Sequence, residues 1–330
     1  MEFAMKAIVM TGTGGPEVLV LEEVAPPQAG ADEVVIRAEA IPVLFPETKL
    51  RSGEFPLGVE PPLVFGFQAA GVVIEVGTDV DPALIGRRVT VATMGFGAYA
   101  EFVSAPAGSV TFIPDGLSSV DAAAVLMSGS VALPLLETAR LTGTETVLIE
   151  AAATGIGSYL TQLAKGYGGA RIIATAGGPA KIEQARKLGA DEVIDHNDPE
   201  WPAQLREILG GATLDVVFDS IGGSTAHDLL DLMTPLHGRM LSYGWLSGAP
   251  AQLAAADLIT RGLTLTGCAG PAWLARVAAA HTATLDLAAA GDLDPLVETV
   301  LPLDQAARAH QLIEDRTPLG RIILRPGHDS

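Results

Sequence analysis

The chain has 330 residues, 48% hydrophobic and 18% charged: ample apolar side chain for two cored domains, and too few charges for a disordered chain. Twenty basic residues against 39 acidic ones leave a net charge of −19, which repels nucleic acid and anionic lipid and disfavours both as partners. One cysteine, Cys268, excludes an intrachain disulfide; no basic stretch leads into an apolar run, and no twenty-residue apolar run stands clear of Gly, Pro and charge, so a cytoplasmic chain with no membrane span is expected.

The first third reads as short strands punctuated by Gly and Pro. Residues 7–10 and 18–22 flank a Gly-rich turn, 33–38 alternates after Pro26-Pro27, and 70–76 and 88–92 are Val-rich. Regular short strands of this kind predict a compact β-barrel-like domain. From about Val120 the texture becomes Ala-rich helix alternating with short apolar strands at 147–149, 171–175, 216–218, 240–242 and 263–266. Helices are expected between them, among them 158–167 and 179–188. That alternation predicts βαβ units and a parallel sheet. A last helix (304–314) and strand (321–324) return to the first domain. The expected boundaries are residues 1–122, 123–270 and 271–330.

Metal chemistry is constrained by an absence. No His or Cys precedes His196. A catalytic zinc held by Cys and His from the first domain is therefore not expected, nor a structural four-cysteine zinc.

The central motif runs Val147-Leu148-Ile149-Glu150-Ala151-Ala152-Ala153-Thr154-Gly155-Ile156-Gly157-Ser158. A strand ends, a turn of small residues follows and a helix opens. Small residues admit a pyrophosphate close to the backbone, and the helix N-terminus offers N–H groups and a positive dipole end. Thr154, Gly155, Ile156 and Gly157 are thus candidate cofactor residues. An ordinary strand-to-helix turn has the same short Gly-Ile-Gly, and only the βαβ context favours the nucleotide. The second strand ends in Thr175-Ala176-Gly177-Gly178-Pro179-Ala180-Lys181, with no acid to select the NAD ribose. Gly177 and Lys181 then suit the extra phosphate of NADP, although Lys181 also reads as a solvated helix lysine.

Many segments resemble zeta-crystallin-like quinone oxidoreductases, a branch of the medium-chain dehydrogenase/reductases. They include Gly15-Pro16-Glu17-Val18-Leu19, Leu50-Arg51-Ser52-Gly53, Ala70-Gly71-Val72-Val73, Gly97-Ala98-Tyr99-Ala100-Glu101, Ala185-Arg186-Lys187-Leu188-Gly189-Ala190-Asp191, Asp219-Ser220-Ile221-Gly222-Gly223 and Gly320-Arg321-Ile322-Ile323-Leu324. Their order spans nearly the whole chain. The resemblance implies a GroES-like β-barrel domain beside a Rossmann doubly wound α/β sheet, NADP(H), and hydride transfer to a small-molecule quinone or enone by a homodimer. It adds Val131, Ser220, Gly244 and Trp245 to the cofactor set.

Departures from the family pattern cluster at its reaction site. Leu44 stands where Asn is usual, Lys49 where Tyr is frequent, Gln68 at an acidic position, Val131 at a Thr and Thr154 at a Gly. A drier pocket follows, with a bulky, apolar carbonyl substrate expected. Lys49 could stabilise an enolate oxygen, or serve as surface charge beside Glu47 and Arg51. Tyr243 and Trp245, past a strand end, are placed by topology beside the ligand crevice or simply pack. Phe45, Phe96 and Met127 line a substrate wall or fill the core. The alternative function is a non-redox cyclase or lyase on the same scaffold.

Overall fold

A computed structural model describes residues 4–55, 58, 60–93 and 96–327. Two compact units emerge: one is the chain up to Leu126 together with Leu285 onward, the other Met127–Thr284.

The first unit opens with β1 (Met5–Met10), β2 (Leu19–Val24) and β3 (Glu33–Pro42), followed by a short helix, α1 (Phe45–Ser52). Then come β4 (Leu63–Val64), β5 (Gln68–Val76), β6 (Arg88–Ala92), β7 (Phe102–Pro106) and β8 (Thr111–Phe112). Helix α2 (Ser119–Ala139) leads into the second unit. There β9 (Glu145–Ile149), α3 (Gly155–Leu163), β10 (Gly169–Ala176), α4 (Pro179–Lys187), β11 (Glu192–Asp195), α5 (Trp201–Leu209) and β12 (Val216–Asp219) alternate. They are followed by α6 (Thr225–Leu230), β13 (Arg239–Ser242), α7 (Ala255–Arg261), β14 (Thr264–Gly267) and α8 (Pro271–Ala279). After α9 (His281–Ala290), β15 (Val297–Pro302), α10 (Ala306–Glu314) and β16 (Arg321–Arg325) complete the first unit.

The ten-residue β3 organises the first unit, pairing antiparallel with β5, β7 and β16. Its inward residues Val34, Ile36, Ala38 and Ile41 join Val89, Val91, Phe65 and Leu324 in one core. Alternation along β3 thus converts directly into a buried face.

The second unit is a six-stranded parallel sheet in the order β11-β10-β9-β12-β13-β14. Val147, Leu148 and Ile149 of β9 and Val216, Val217 and Phe218 of β12 are fully buried. A parallel strand covered on both faces requires such apolar runs, which is why these two were readable as strands. The strand order reverses between β9 and β12, and ligands of open α/β sheets bind outside the strand ends at such a reversal.

Helix α2 is long and apolar enough to cross a membrane, with a mean hydropathy of 1.6 in its most apolar window. That window is 78% buried inside the protein, the condition of a core helix.

Candidate functional site

The turn between β9 and α3 is built for close approach. A Cβ on Gly157 would lie 2.4 Å from the Ala151 carbonyl oxygen, so only glycine lets the helix start against the strand end. Gly155 has a φ of +55° and, among the described residues, nothing within 4 Å of where its Cβ would stand. The N-cap residue Thr154 is extended, and its side chain caps no helix N–H. An uncapped helix N-terminus beneath open space fits a pyrophosphate. Thr175 braces the turn from β10: its Oγ1 accepts the Ala151 N–H (3.2 Å) and its carbonyl the Ala152 N–H (2.8 Å). Gln184 ties α4 to the turn through the Ala153 carbonyl at 2.8 Å.

Gly177 follows the end of β10 and Lys181 lies half-buried in the first turn of α4. A Cβ on Gly177 would meet His196 Nε2 at 2.9 Å and Asn197 Nδ2 at 3.1 Å. His196 Nδ1 is hydrogen-bonded to Thr175 Oγ1 at 3.1 Å. An acid does stand here, but it comes from β11. Asp195 Oδ1 accepts the N–H groups of Gly178 (3.1 Å) and Asn197 (2.9 Å). Reading β10 alone could not reveal it, because sheet pairing brings β11 alongside.

At the reversal between β9 and β12, Glu150 and Asp219 are both fully buried. Glu150 Oε2 accepts the N–H groups of Ser220 and Ile221, each at 3.1 Å. Asp219 accepts Gly222 N–H at 2.8 Å and Ser242 Oγ–H at 2.7 Å. Ser220 and Gly244 come together here: a Cβ on Gly244 would lie 2.9 Å from the Ser220 carbonyl oxygen. Tyr243 turns inward, its hydroxyl buried amid Ser220, Glu150, Asp219 and Cys268, and burial pushes its pKa up. Trp245 is 47% exposed. Sequence reading missed Glu150 and Asp219 as a pair; their only signal was that each directly follows or ends a buried apolar strand.

In the first unit, Leu44 is the buried N-cap of α1, and its N–H is taken by Glu47 Oε2 at 2.7 Å. Glu47 is fully buried and also accepts Phe67 N–H (3.0 Å) and the Tyr99 hydroxyl (2.7 Å). Tyr99 reaches His310 Nε2 at 3.1 Å as well. Desolvation raises Glu47 to about 7 and lowers His310 to about 3, with Arg51 adding to the second shift. Arg51 is buried and paired with Glu314. Lys49, on the same helix, has its Nζ within 2.8 and 2.9 Å of the two Glu54 carboxylate oxygens and 5.5 Å from the Phe45 ring centre. A substrate oxygen there would compete with Glu54. Phe96 packs on Phe65 and Phe67, with ring centres 5.5 and 5.0 Å apart. Gln68 is buried, and among the described residues neither of its amide atoms has a hydrogen-bond partner. Met127 and Val131 lie half-buried on α2 in the second unit. Among the described residues, no group of three or more His, Cys, Asp and Glu side chains is arranged to hold a metal.

Residues 30–115 match the alcohol dehydrogenase GroES-like domain family, and residues 155–286 match the zinc-binding dehydrogenase family. The chain is 34% identical to a 2-haloacrylate reductase from Burkholderia sp, over 97% of this chain and 98% of that protein. It is 33% identical to quinone oxidoreductase 1 of Escherichia coli (strain K12), over 95% and 97%. The crystal structure of Escherichia coli quinone oxidoreductase complexed with NADPH superposes with a TM-score of 0.87 at 32% identity, covering 97% of this chain and all of that one.

Proposed function

Because the chain belongs to the quinone oxidoreductase-like family of medium-chain dehydrogenase/reductases, we propose that it is a zinc-independent reductase that binds NADPH at the β9–α3 turn and reduces a quinone or α,β-unsaturated carbonyl. The observation that carries this reading is the uncapped N-terminus of α3, open above Gly155 and closed below at Gly157, at the reversal point of the sheet. NADPH, when bound, supplies a hydride. The helix N-terminus and the turn amides hold its pyrophosphate, and Lys181 takes the 2′-phosphate. Lys49 meets the acceptor oxygen in exchange for Glu54 and stabilises charge developing there. Leu44 and Phe45 favour a bulky, apolar acceptor. Zinc independence is argued from the lack of any His or Cys before His196.

The test is incubation with NADPH and a panel of quinones and enones, followed at the nicotinamide absorbance band. Oxidation that persists in chelator supports the reading. Product without NADPH oxidation would favour the cyclase or lyase alternative. Lys181→Ala should weaken NADPH at least tenfold and leave NADH nearly unchanged; equal losses would remove Lys181 from the 2′-phosphate.

A further inference from the structure

Two carboxyl groups share the dry end of the parallel sheet. Glu150 follows β9 and Asp219 ends β12, its neighbour, and neither side chain is exposed. The register sets them side by side: Ile149 pairs with Phe218 in the parallel ladder, and Glu150 N–H reaches the Phe218 carbonyl at 3.3 Å. Two neighbouring carboxylates that are both fully buried cannot both stay ionised without solvent or a cation, so the pair keeps a proton. The donors around it say where. Asp219 already receives Gly222 N–H on Oδ1 and Ser242 Oγ–H on Oδ2. Glu150 Oε2 receives two amides, whereas Oε1 meets no N–H or O–H donor among the described residues. A proton on Glu150 Oε1, given to Asp219, satisfies every oxygen. Burial first, then the charge of Asp219, push Glu150 well above the ordinary carboxylate range. The other titratable groups facing the pair are Tyr243 and, beyond it, Cys268, whose thiol is itself pushed up by burial and faces Arg276.

The backbone held by this pair is the loop after β12. Glu150 grips its inner side at Ser220 and Ile221. Its outer side is stitched to the loop after β13, because the Ser220 carbonyl accepts Leu246 N–H and the Ile221 carbonyl accepts Ser247 N–H, each at 3.0 Å. Gly222 and Gly223 both take positive φ, and a Cβ on Gly222 would lie 2.5 Å from the Ala249 carbonyl oxygen, so the loop has little room to relax. We infer that Glu150, in its protonated form, is a positioning residue that sets the β12 and β13 loops for the dinucleotide at the sheet's reversal point. Loss of its proton puts a second charge beside Asp219, and the loop amides must move to accommodate it. The inference rests on the NADPH reading above only for its affinity readout.

The experiment measures NADPH dissociation constants for wild type and Glu150→Gln from about pH 7 to about pH 9.5, a range in which the cofactor's own phosphate, with a second pKa of about 6, stays ionised. The amide keeps an acceptor for Ser220 and Ile221 and a donor for Asp219, and it cannot titrate. Wild type should weaken relative to the variant as pH rises, while the variant stays flat; Lys181 is common to both proteins and cancels. A flat wild-type profile, or a variant that weakens in parallel, would overturn the assignment. Hydrogen exchange of the wild-type loop peptide 219–224 gives a second readout that needs neither cofactor nor variant. Its protection should fall with pH faster than that of the β9 amides. If NADPH does not bind at all, the cofactor reading fails, and this exchange profile alone decides for or against Glu150.

Discussion

Glu47 and His310 are buried neutral partners of a single hydroxyl, Tyr99, and their titrations oppose each other. Glu47 is raised from 4.5 to about 7, so the folded state holds a proton that the unfolded chain has lost between those values. Its contribution is present below 4.5 and lost as pH rises to 7, at about 1.4 kcal/mol per pH unit. His310 is lowered from 6.5 to about 3, so its contribution is present above 6.5 and lost as pH falls towards 3. Between 4.5 and 6.5 the two slopes cancel. Relative to wild type, Glu47→Gln should gain stability with rising pH between 4.5 and 7, and His310→Gln should lose it between 3 and 6.5. Urea titrations across this range check both, and parallel profiles for the two variants would contradict the assigned charge states. Neither residue could be read from the sequence, where Glu47 looks like surface charge among Lys49, Arg51 and Glu54; the fold brings in Tyr99 from 52 positions away, and His310 lies 211 beyond Tyr99. Lys49 is legible as a candidate, whereas its ion pair with Glu54 forms only where the chain turns at Gly53. Lys49→Met should leave thermal unfolding almost unchanged, since the pair is partly exposed, and should lower kcat at least tenfold with little effect on KM. An unchanged kcat would return Lys49 to the solvated surface.

At the scale of elements, strands with apolar runs or clean alternation were legible, and those defined by pairing were not. β9, β10, β12 and β13 lie within a residue or two of their expected positions. β15 and β11 carry mixed, half-buried patterns and exist because β16 and β10 offer them edges. Helix α1 carries its signals in the sequence, Pro46 near the start and Gly53 at the αL stop. The β9–α3 turn was legible as a motif, and its two glycines make separate predictions. Gly157→Ala places a methyl 2.4 Å from a backbone oxygen and should destabilise the whole unit. Gly155→Ala meets open space and bears only the strain of a left-handed alanine, roughly 1–2 kcal/mol. Its methyl, however, projects into the space assigned to the pyrophosphate. It should therefore bind NADPH at least tenfold more weakly while unfolding only a few degrees lower. Wild-type affinity in Gly155→Ala would move the phosphate site away from this turn.

For the molecule as a whole, the acidic balance and the exposed sheet edge act against each other. β14 is the last strand of the parallel sheet, and its outer side pairs with no other strand among the described residues. Leu265 on that strand is 37% exposed, and Ile259 on the preceding α7 is 78% exposed. An unprotected edge with apolar neighbours is a template for another strand, and a two-fold axis lets the same strand of a second copy fill it. A homodimer through β14 is the expected assembly. Each protomer brings a charge of −19, so association must also overcome like-charge repulsion. Repulsion between charges about 30 Å apart survives at 0.01 M salt but is screened beyond about 10 Å at 0.1 M. The dimer should therefore tighten as salt is added, the reverse of an assembly held by ion pairs. Leu265→Lys places a cation beside its symmetry mate and removes apolar area, so it should yield monomers at micromolar concentration. Light scattering at two salt concentrations reads both effects. A wild-type monomer at high salt, or a Leu265→Lys dimer as tight as the parent, would show that β14 is not the seam and that the exposed edge is protected in some other way.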